Sequence, residues 1–288
     1  LVLIYFDFGR VRGAPVSVVT GFDQSERLIW AGRADAYAGG FAKLCAHTVP
    51  RLLDVAGVGP GTRMLDVGTG PGTAAAAGCD RGASVTAVDA EPGMVELARK
   101  AAPAAEVRVA VLPELPFSDA TFDVVVGNFV LNHVGRPSAA LAELLRVVRP
   151  GGRIALTIWS APPAPGQALI GRAIKAAGAV RPPHLPAGLA AEDDFPRDES
   201  GLGALMGSAG LREAACETLR WDHRVDAEEW WSRGPAAGVA FGGAFVQSQT
   251  PEIRAEIKRY FDLFGAEFAD GSGVLALPHA ALLAHARR

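Results

Sequence analysis

Three glycines at alternate positions, Gly68, Gly70 and Gly72, follow the short apolar run Arg63 to Val67, which carries one acid, Asp66. Glycine adopts backbone angles that other residues resist, and a main chain without side chains lets a ligand approach closely. Pro71 is pre-set for the first turn of a helix, and Thr73 to Ala77 is small and helix-prone. Strand, glycine turn and helix hold nucleotide-like ligands in open α/β sheets. A second acid, Asp89, closes the run Ser84 to Val88 at about the interval of 20 residues at which a dinucleotide fold places its ribose-binding carboxylate. Asp89 thus points to a ribose-bearing ligand, and a second role, as N-cap of a helix Pro92 to Ala102, stays open. A dinucleotide fingerprint wants glycine at position 73; here Thr73 stands there and Gly72 comes one residue early. His133, His184 and His223 are the candidates for a general base near neutral pH.

The positioning elements follow from periodicity. Arg63–Val67, Ser84–Asp89, Val107–Val111 and Phe122–Val126 predict strands, the last apolar throughout, as a central parallel strand should be. Ile154–Trp159 predicts a fifth. Asp23 to Leu53 reads as helix interrupted at Pro50, with Gly39-Gly40 as a hinge. Helices are also expected over 138–148, 167–177, 201–210 and 253–268, and Asp226 should cap a short helix that carries Trp230 and Trp231. Leu211 to Val225 reads as a bent strand.

Composition bounds the rest. The chain has 288 residues and a net charge of −3, too little positive charge for a broad pull toward nucleic acid. Three scattered cysteines argue against a disulfide framework and suit a reducing cytoplasm. No Cys/His metal spacing and no run long enough to cross a bilayer is present. The apolar stretch Leu1 to Phe8 has no basic leader and is expected as an edge strand or disorder.

The run from Asp66 to Gly72, D-x-G-x-G-x-G, resembles motif I of the class I S-adenosylmethionine (SAM) dependent methyltransferases. Leu115 to Asp123 reads L-P-F-x-D-x-x-F-D, which resembles the lead into strand four in the small-molecule, ubiquinone-biosynthesis-like branch of that family. Arg149-Pro150-Gly151-Gly152 resembles the family's turn before strand five, where the glycines are structural. The likeness covers residues 60 to 160. It implies a doubly wound, mostly parallel seven-stranded α/β sheet whose last strand, within 271–288, runs reversed. It divides the single domain into an N-terminal helical lid (23–53), a SAM-binding core (58–160), the rest of the sheet (161–225 and 271–288) and a helical cap (226–270).

The resemblance also implies roles. Asp66, Gly68, Thr69 and Gly70 would form the first turn of the cofactor site. Asp89 would bind the ribose hydroxyls, with Ala90 beside it and Met94 against the adenine. Many relatives carry an adenine-binding Asp where this chain has Val111, so that contact falls to the main chain of Leu112. Asn128 and Phe129 would face the methionine end, where Tyr37 would offer a hydroxyl and Arg33 a cation for the carboxylate. His133 resembles a histidine often found in that loop and is the expected base. The aromatics Trp221, Trp230, Trp231, Phe241, Phe245 and Phe261 would line an acceptor pocket or simply pack a core. The expected activity is methylation of a small molecule, at the oxygen of a secondary metabolite before nitrogen or carbon, with no nucleic-acid or membrane partner and a homodimer left open. A SAM binder that transfers no methyl and a nicotinamide-dependent oxidoreductase are the rivals.

Overall fold

The structure is a computed structural model that describes residues 19–183, 185 and 188–288. The expectation for residues 1–8 and the candidate base His184 lie outside the described residues.

Four short helices replace the single helix expected over 23–53: α1 (Gly21–Trp30), α2 (Ala34–Gly39), α3 (Phe41–Cys45) and α4 (Val49–Ala56). Gly32, at φ +70°, turns the chain between the first two. Pro50 begins α4 rather than ending a helix, because a missing N–H costs nothing in a first turn. Gly40 separates α2 from α3, but a Cβ at Gly39 would lie 2.4 Å from Arg233 Nη1, so the expected hinge is packed shut.

The strands β1 (Arg63–Val67), β2 (Ser84–Asp89), β3 (Glu106–Val109), β4 (Phe122–Asn128), β5 (Val148–Trp159), β6 (Arg212–Asp226) and β7 (Val274–Arg287) form one seven-stranded sheet in the order β3-β2-β1-β4-β5-β7-β6. The first five run parallel, and β7 is antiparallel to both β5 and β6. Helices α5 (Thr73–Asp80), α6 (Pro92–Ala101), α7 (Pro137–Val147), α8 (Pro165–Ala176) and α9 (Glu199–Ser208) connect them. Helices α10 (Ala227–Arg233), α11 (Ala240–Gln247) and α12 (Pro251–Gly265) make the segment between β6 and β7.

Period-two alternation sends successive strand residues to opposite faces. Leu65, Val125, Ile154 and Leu156 pack with Leu141 and Leu144 of α7 and Met206 of α9 on one face. Met64, Val124 and Val126 pack with Leu52 and Leu53 of α4, Ala75 of α5 and Ala98 of α6 on the other. A third cluster joins Trp230, Trp231, Ile257 and Phe261 of the cap to Leu169, Leu275 and Leu277. Those aromatics are therefore core. Among the described residues no helix is long and apolar enough to cross a membrane.

The L-P-F motif leads into β4, whereas Arg149–Gly152, expected as a turn before a strand that starts at Ile154, lies within β5, and both tie the sheet together. Asp123 accepts from Arg63 of β1 through the main-chain N (2.9 Å) and the guanidinium, and from Arg149 Nε (2.6 Å). These cations hold its carboxyl well below the usual range. A Cβ at Gly152 would lie 2.6 Å from the Asp123 carbonyl, so glycine is required there. Arg146 of α7 donates to the carbonyls of Leu115 and Phe117, fixing the L-P-F stretch over α7.

β1 is the switch point: β2 lies on one side and β4 on the other. Open α/β sheets bind ligands at such a point, beyond the carboxyl ends of the strands.

Candidate active site

A cleft of about 310 Å³ opens at the carboxyl ends of β1, β2 and β4. Gly68 (φ +68°) and Gly70 (φ +54°) form its floor, and a Cβ at Gly68 would strike Val130 Cγ2 at 2.5 Å. Asp89, Ala90 and Met94 line one end with Ala110, Val111 and Leu112. Asn128, Phe129 and His133 line the opposite wall, and α1 and Tyr37 close the side.

Asp89 is anchored by two main-chain groups. Gly70 N–H donates to Oδ2 at 2.8 Å and Glu91 N–H to Oδ1 at 3.0 Å. Each carboxylate oxygen has a second lone pair, so both remain able to accept. The N-cap role falls elsewhere: Glu91, not Asp89, accepts from Met94 N–H (2.9 Å) and caps α6. Burial pushes the Asp89 carboxyl up.

Asp66 and Thr69 are not in the main cleft. They line a recess of about 30 Å³ that shares Tyr37, Gly68, Gly70 and Asn128 with it. Thr69 Oγ1 donates to Asp66 Oδ2 at 2.6 Å. Asp66 Oδ1 is buried with no hydrogen-bond partner. Burial pushes the Asp66 carboxyl up to about 7, and the nearby Asp89 adds to the shift. A carboxyl raised in the folded state binds more protons than the unfolded chain does between about pH 4 and 7, so its contribution to stability falls as pH rises through that window. Without cofactor, thermal melts of the wild type should therefore fall between pH 5 and pH 8, and Asp66→Asn should flatten part of that fall. Parallel curves for the two proteins would sink this assignment.

Asn128 lines the cleft, but its side chain is largely spent. Oδ1 accepts from Thr48 Oγ1 (2.7 Å) and Thr157 Oγ1 (2.6 Å), and Nδ2 donates to the Cys45 carbonyl (3.0 Å). It ties α3 and β5 to β4 and leaves one amide hydrogen. Phe129 adopts φ +63° and stacks on Trp159, with centroids 4.1 Å apart. The Tyr37 ring packs edge-on to Trp30, and Tyr37 and Cys45 belong to one small cluster. Burial raises both of their pKa values, the thiol to about 12.

Arg33 does not line the cleft. Its guanidinium lies 3.2 Å from where a Cβ at Gly238 would stand, and Nε is buried without a partner. The turn at Gly32 sends it toward the cap, so the expected carboxylate clamp is absent from this arrangement. Helix α5 also begins at Thr73 with Gly72 as N-cap, leaving Pro71 in the turn before it.

Sequence reasoning missed Asp23, Glu26, Arg27, Trp30 and Glu91, all of which line the cleft. The α1 residues carried a signal: positions 23, 26, 27 and 30 share one helix face. His133 Nδ1 lies 2.7 Å from Glu26 Oε2, and Trp30 Nε1–H donates to the same oxygen at 3.2 Å. His223 does not line this cleft. It is buried beside His47 and Trp230, and burial lowers its pKa to about 4.

Sheet order, switch point and glycine-floored cleft define a doubly wound nucleotide-type binder. Comparison with known proteins narrows this. The methyltransferase-domain family model matches residues 65–156. The demethylmenaquinone methyltransferase of Beutenbergia cavernae is 36% identical over 175 residues, covering 58% of this chain and 72% of that protein. That of Clavibacter sepedonicus is 42% identical over 163 residues, 54% of this chain and 61% of that one. Among solved structures, a phosphoethanolamine N-methyltransferase of Haemonchus contortus, in complex with phosphomonomethylethanolamine and S-adenosylhomocysteine, superposes with a TM-score of 0.55 at 15% identity, covering 94% of this chain and 61% of that one. The chain belongs to the class I SAM-dependent methyltransferases and is an enzyme of the small-molecule type.

Proposed function

We propose that the enzyme methylates a hydroxylated aromatic small molecule, with SAM as donor and the acceptor's oxygen as the first target. SAM supplies a methyl group on a sulfonium and leaves as S-adenosylhomocysteine. The residues present fit that donor. Asp89 offers free lone pairs to two ribose hydroxyls, Met94, Ala90 and Leu112 flank the place of the base, and the orphaned Asp66 Oδ1 suits a cationic donor such as an ammonium group.

The observation that carries the choice of acceptor is the wall opposite Asp89. There a histidine stands beside Phe129, itself stacked on Trp159. An aromatic face suits a planar acceptor, and an imidazole suits the removal of a hydroxyl proton near neutral pH. A general base is needed for an alcohol or phenol, whereas a neutral amine needs none at the moment of transfer. A second reading, methylation at the activated ring carbon of a quinol, is favoured by the demethylmenaquinone methyltransferases among the relatives. Removing the same hydroxyl proton serves both. Beyond the base, the protein's contribution is alignment, which lowers such barriers by roughly 7–11 kcal/mol.

The test is incubation of the protein with methyl-¹³C SAM and a panel holding 1,4-naphthalenediol, simple phenols and primary amines. S-Adenosylhomocysteine and a product heavier by one ¹³C-labelled CH₂ unit are read by mass spectrometry, and carbon NMR separates C–CH₃ from O–CH₃. Methylation confined to the amines would overturn the reading. Titration with SAM and with NAD separates the oxidoreductase rival, which requires NAD to bind more tightly.

A further inference from the structure

Helix α1 does more than wall the cleft. Glu26 is 9% exposed, and its Oε2 takes two contacts: Trp30 Nε1–H at 3.2 Å and His133 Nδ1 at 2.7 Å. Trp30 Nε1 also lies 3.4 Å from His133 Nδ1, but its N–H is closer to Glu26 Oε2, and the 2.7 Å contact with a carboxylate, which accepts, places the imidazole hydrogen on Nδ1 and leaves Nε2 its lone pair. Nε2 has no hydrogen-bond partner among the described residues, while the ring lines the cleft with its side chain 34% exposed. Trp30 stands edge-on to that ring, at 87° and 5.1 Å between centroids, which fixes its plane.

We propose that Glu26 is a positioning residue: it locks His133 in the tautomer whose Nε2 accepts the acceptor's hydroxyl proton. This rests on the reading of His133 as the base for a hydroxylated acceptor. In the step, the acceptor's O–H bond breaks, the proton passes to Nε2, and the oxygen's electron pair is freed for the incoming methyl group. The resulting imidazolium is paired with the Glu26 carboxylate, and the proton leaves to solvent from the exposed edge of the ring.

The location of the pair has a consequence. Glu26 belongs to α1, whereas His133 follows β4. Asp23, one turn earlier on α1, accepts from Gly135 N–H at 2.7 Å and draws the same two segments together. The base is oriented only when α1 lies on that loop, so covering the cleft and arming the base are one event. An enzyme built this way does not deprotonate an acceptor beside an open cleft.

The test uses the full chain with S-adenosylhomocysteine bound and ¹⁵N-labelled histidine. In the wild type at pH 8, His133 should show a protonated Nδ1 and an unprotonated Nε2. In Glu26→Gln the amide both donates and accepts, so the two tautomers should mix. Its kcat on 1,4-naphthalenediol should fall about tenfold while the Kd of S-adenosylhomocysteine stays within about threefold. Asp23→Ala tests the clamp: with α1 no longer tied to the loop through Gly135 N–H, S-adenosylhomocysteine binding should weaken and the His133 tautomers should mix together. A protonated Nε2 in the wild type, an unchanged tautomer in Glu26→Gln, or a loss of ligand affinity in Glu26→Gln as large as its loss of kcat would overturn the proposal. The ring measurement needs no turnover, so failure of the acceptor reading and failure of the Glu26 assignment are separately visible.

Discussion

Asp89→Ala should raise the Kd of S-adenosylhomocysteine by more than tenfold and leave the protein folded. Hydrogen bonds to a charged acceptor contribute about 1.5–3 kcal/mol each, and two ribose hydroxyls are proposed to share this carboxylate. Tenfold in affinity is about 1.4 kcal/mol, so it is the lower bound expected from losing one such bond. The effect on folding is smaller because two terms oppose. The variant strips Gly70 N–H and Glu91 N–H of their acceptor, but both groups face a cleft that water reaches. It also removes a carboxylate whose ionised form burial disfavours. Calorimetric titration with S-adenosylhomocysteine, run beside a thermal melt, measures both. An affinity within twofold of wild type would show that the ribose lies elsewhere, and a collapsed melt would show that Asp89 chiefly holds the glycine turn.

The sheet was legible because its signals are local. Val124, Val125 and Val126 are apolar on both faces, as a strand covered on two sides must be, and the observed β4 is buried on both. The acid closing β2 and the glycines after β1 lie in one short window, and the cleft forms where they meet. The reversed final strand followed from the resemblance and is present as β7. The lid was harder. Apolar spacing over 23–53 is helical throughout, and periodicity does not reveal that Gly32 and Gly40 re-aim the chain between helices. That re-aiming decided Arg33, which the sequence assigns to the cofactor and the fold delivers to the cap. It also decided Glu26, which helical spacing sets on one face with positions 23, 27 and 30 without saying what that face meets. Its partner lies more than a hundred residues away, beyond the reach of any local pattern. Trp230, Trp231 and Phe261 stayed open between two roles for a related reason: a pocket lining and a core share one composition, and only packing separates them.

The motif glycines divide by job, and that division gives the largest expected effect on stability. Gly72→Ala should destabilise the protein by roughly 2–6 kcal/mol, a large part of the about 5–15 kcal/mol that holds a typical domain together. Gly72 stands at φ +92°, where any side chain is strained, and a Cβ there would lie 2.8 Å from Ala98 Cα and 3.2 Å from its carbonyl oxygen. Those atoms are the backbone of α6, which packs on the sheet through Val95 and Ala98 and does not yield as a side-chain tip would. The close approach that glycine permits at position 72 is therefore to a neighbouring helix rather than to a ligand. Gly70 makes the opposite case. Its φ is +54°, and a Cβ would meet only Tyr37 Cε1, at 3.4 Å, at the edge of the cleft. Gly70→Ala should cost about 1–3 kcal/mol in backbone strain and should disturb the amide that donates to Asp89, so its larger effect falls on cofactor affinity. Urea unfolding and titration with S-adenosylhomocysteine, applied to both variants, should rank them in opposite orders. If Gly70→Ala proves the less stable of the two, or Gly72→Ala the weaker binder in a fold of wild-type stability, the contact between the glycine turn and α6 does not carry the packing assigned to it here.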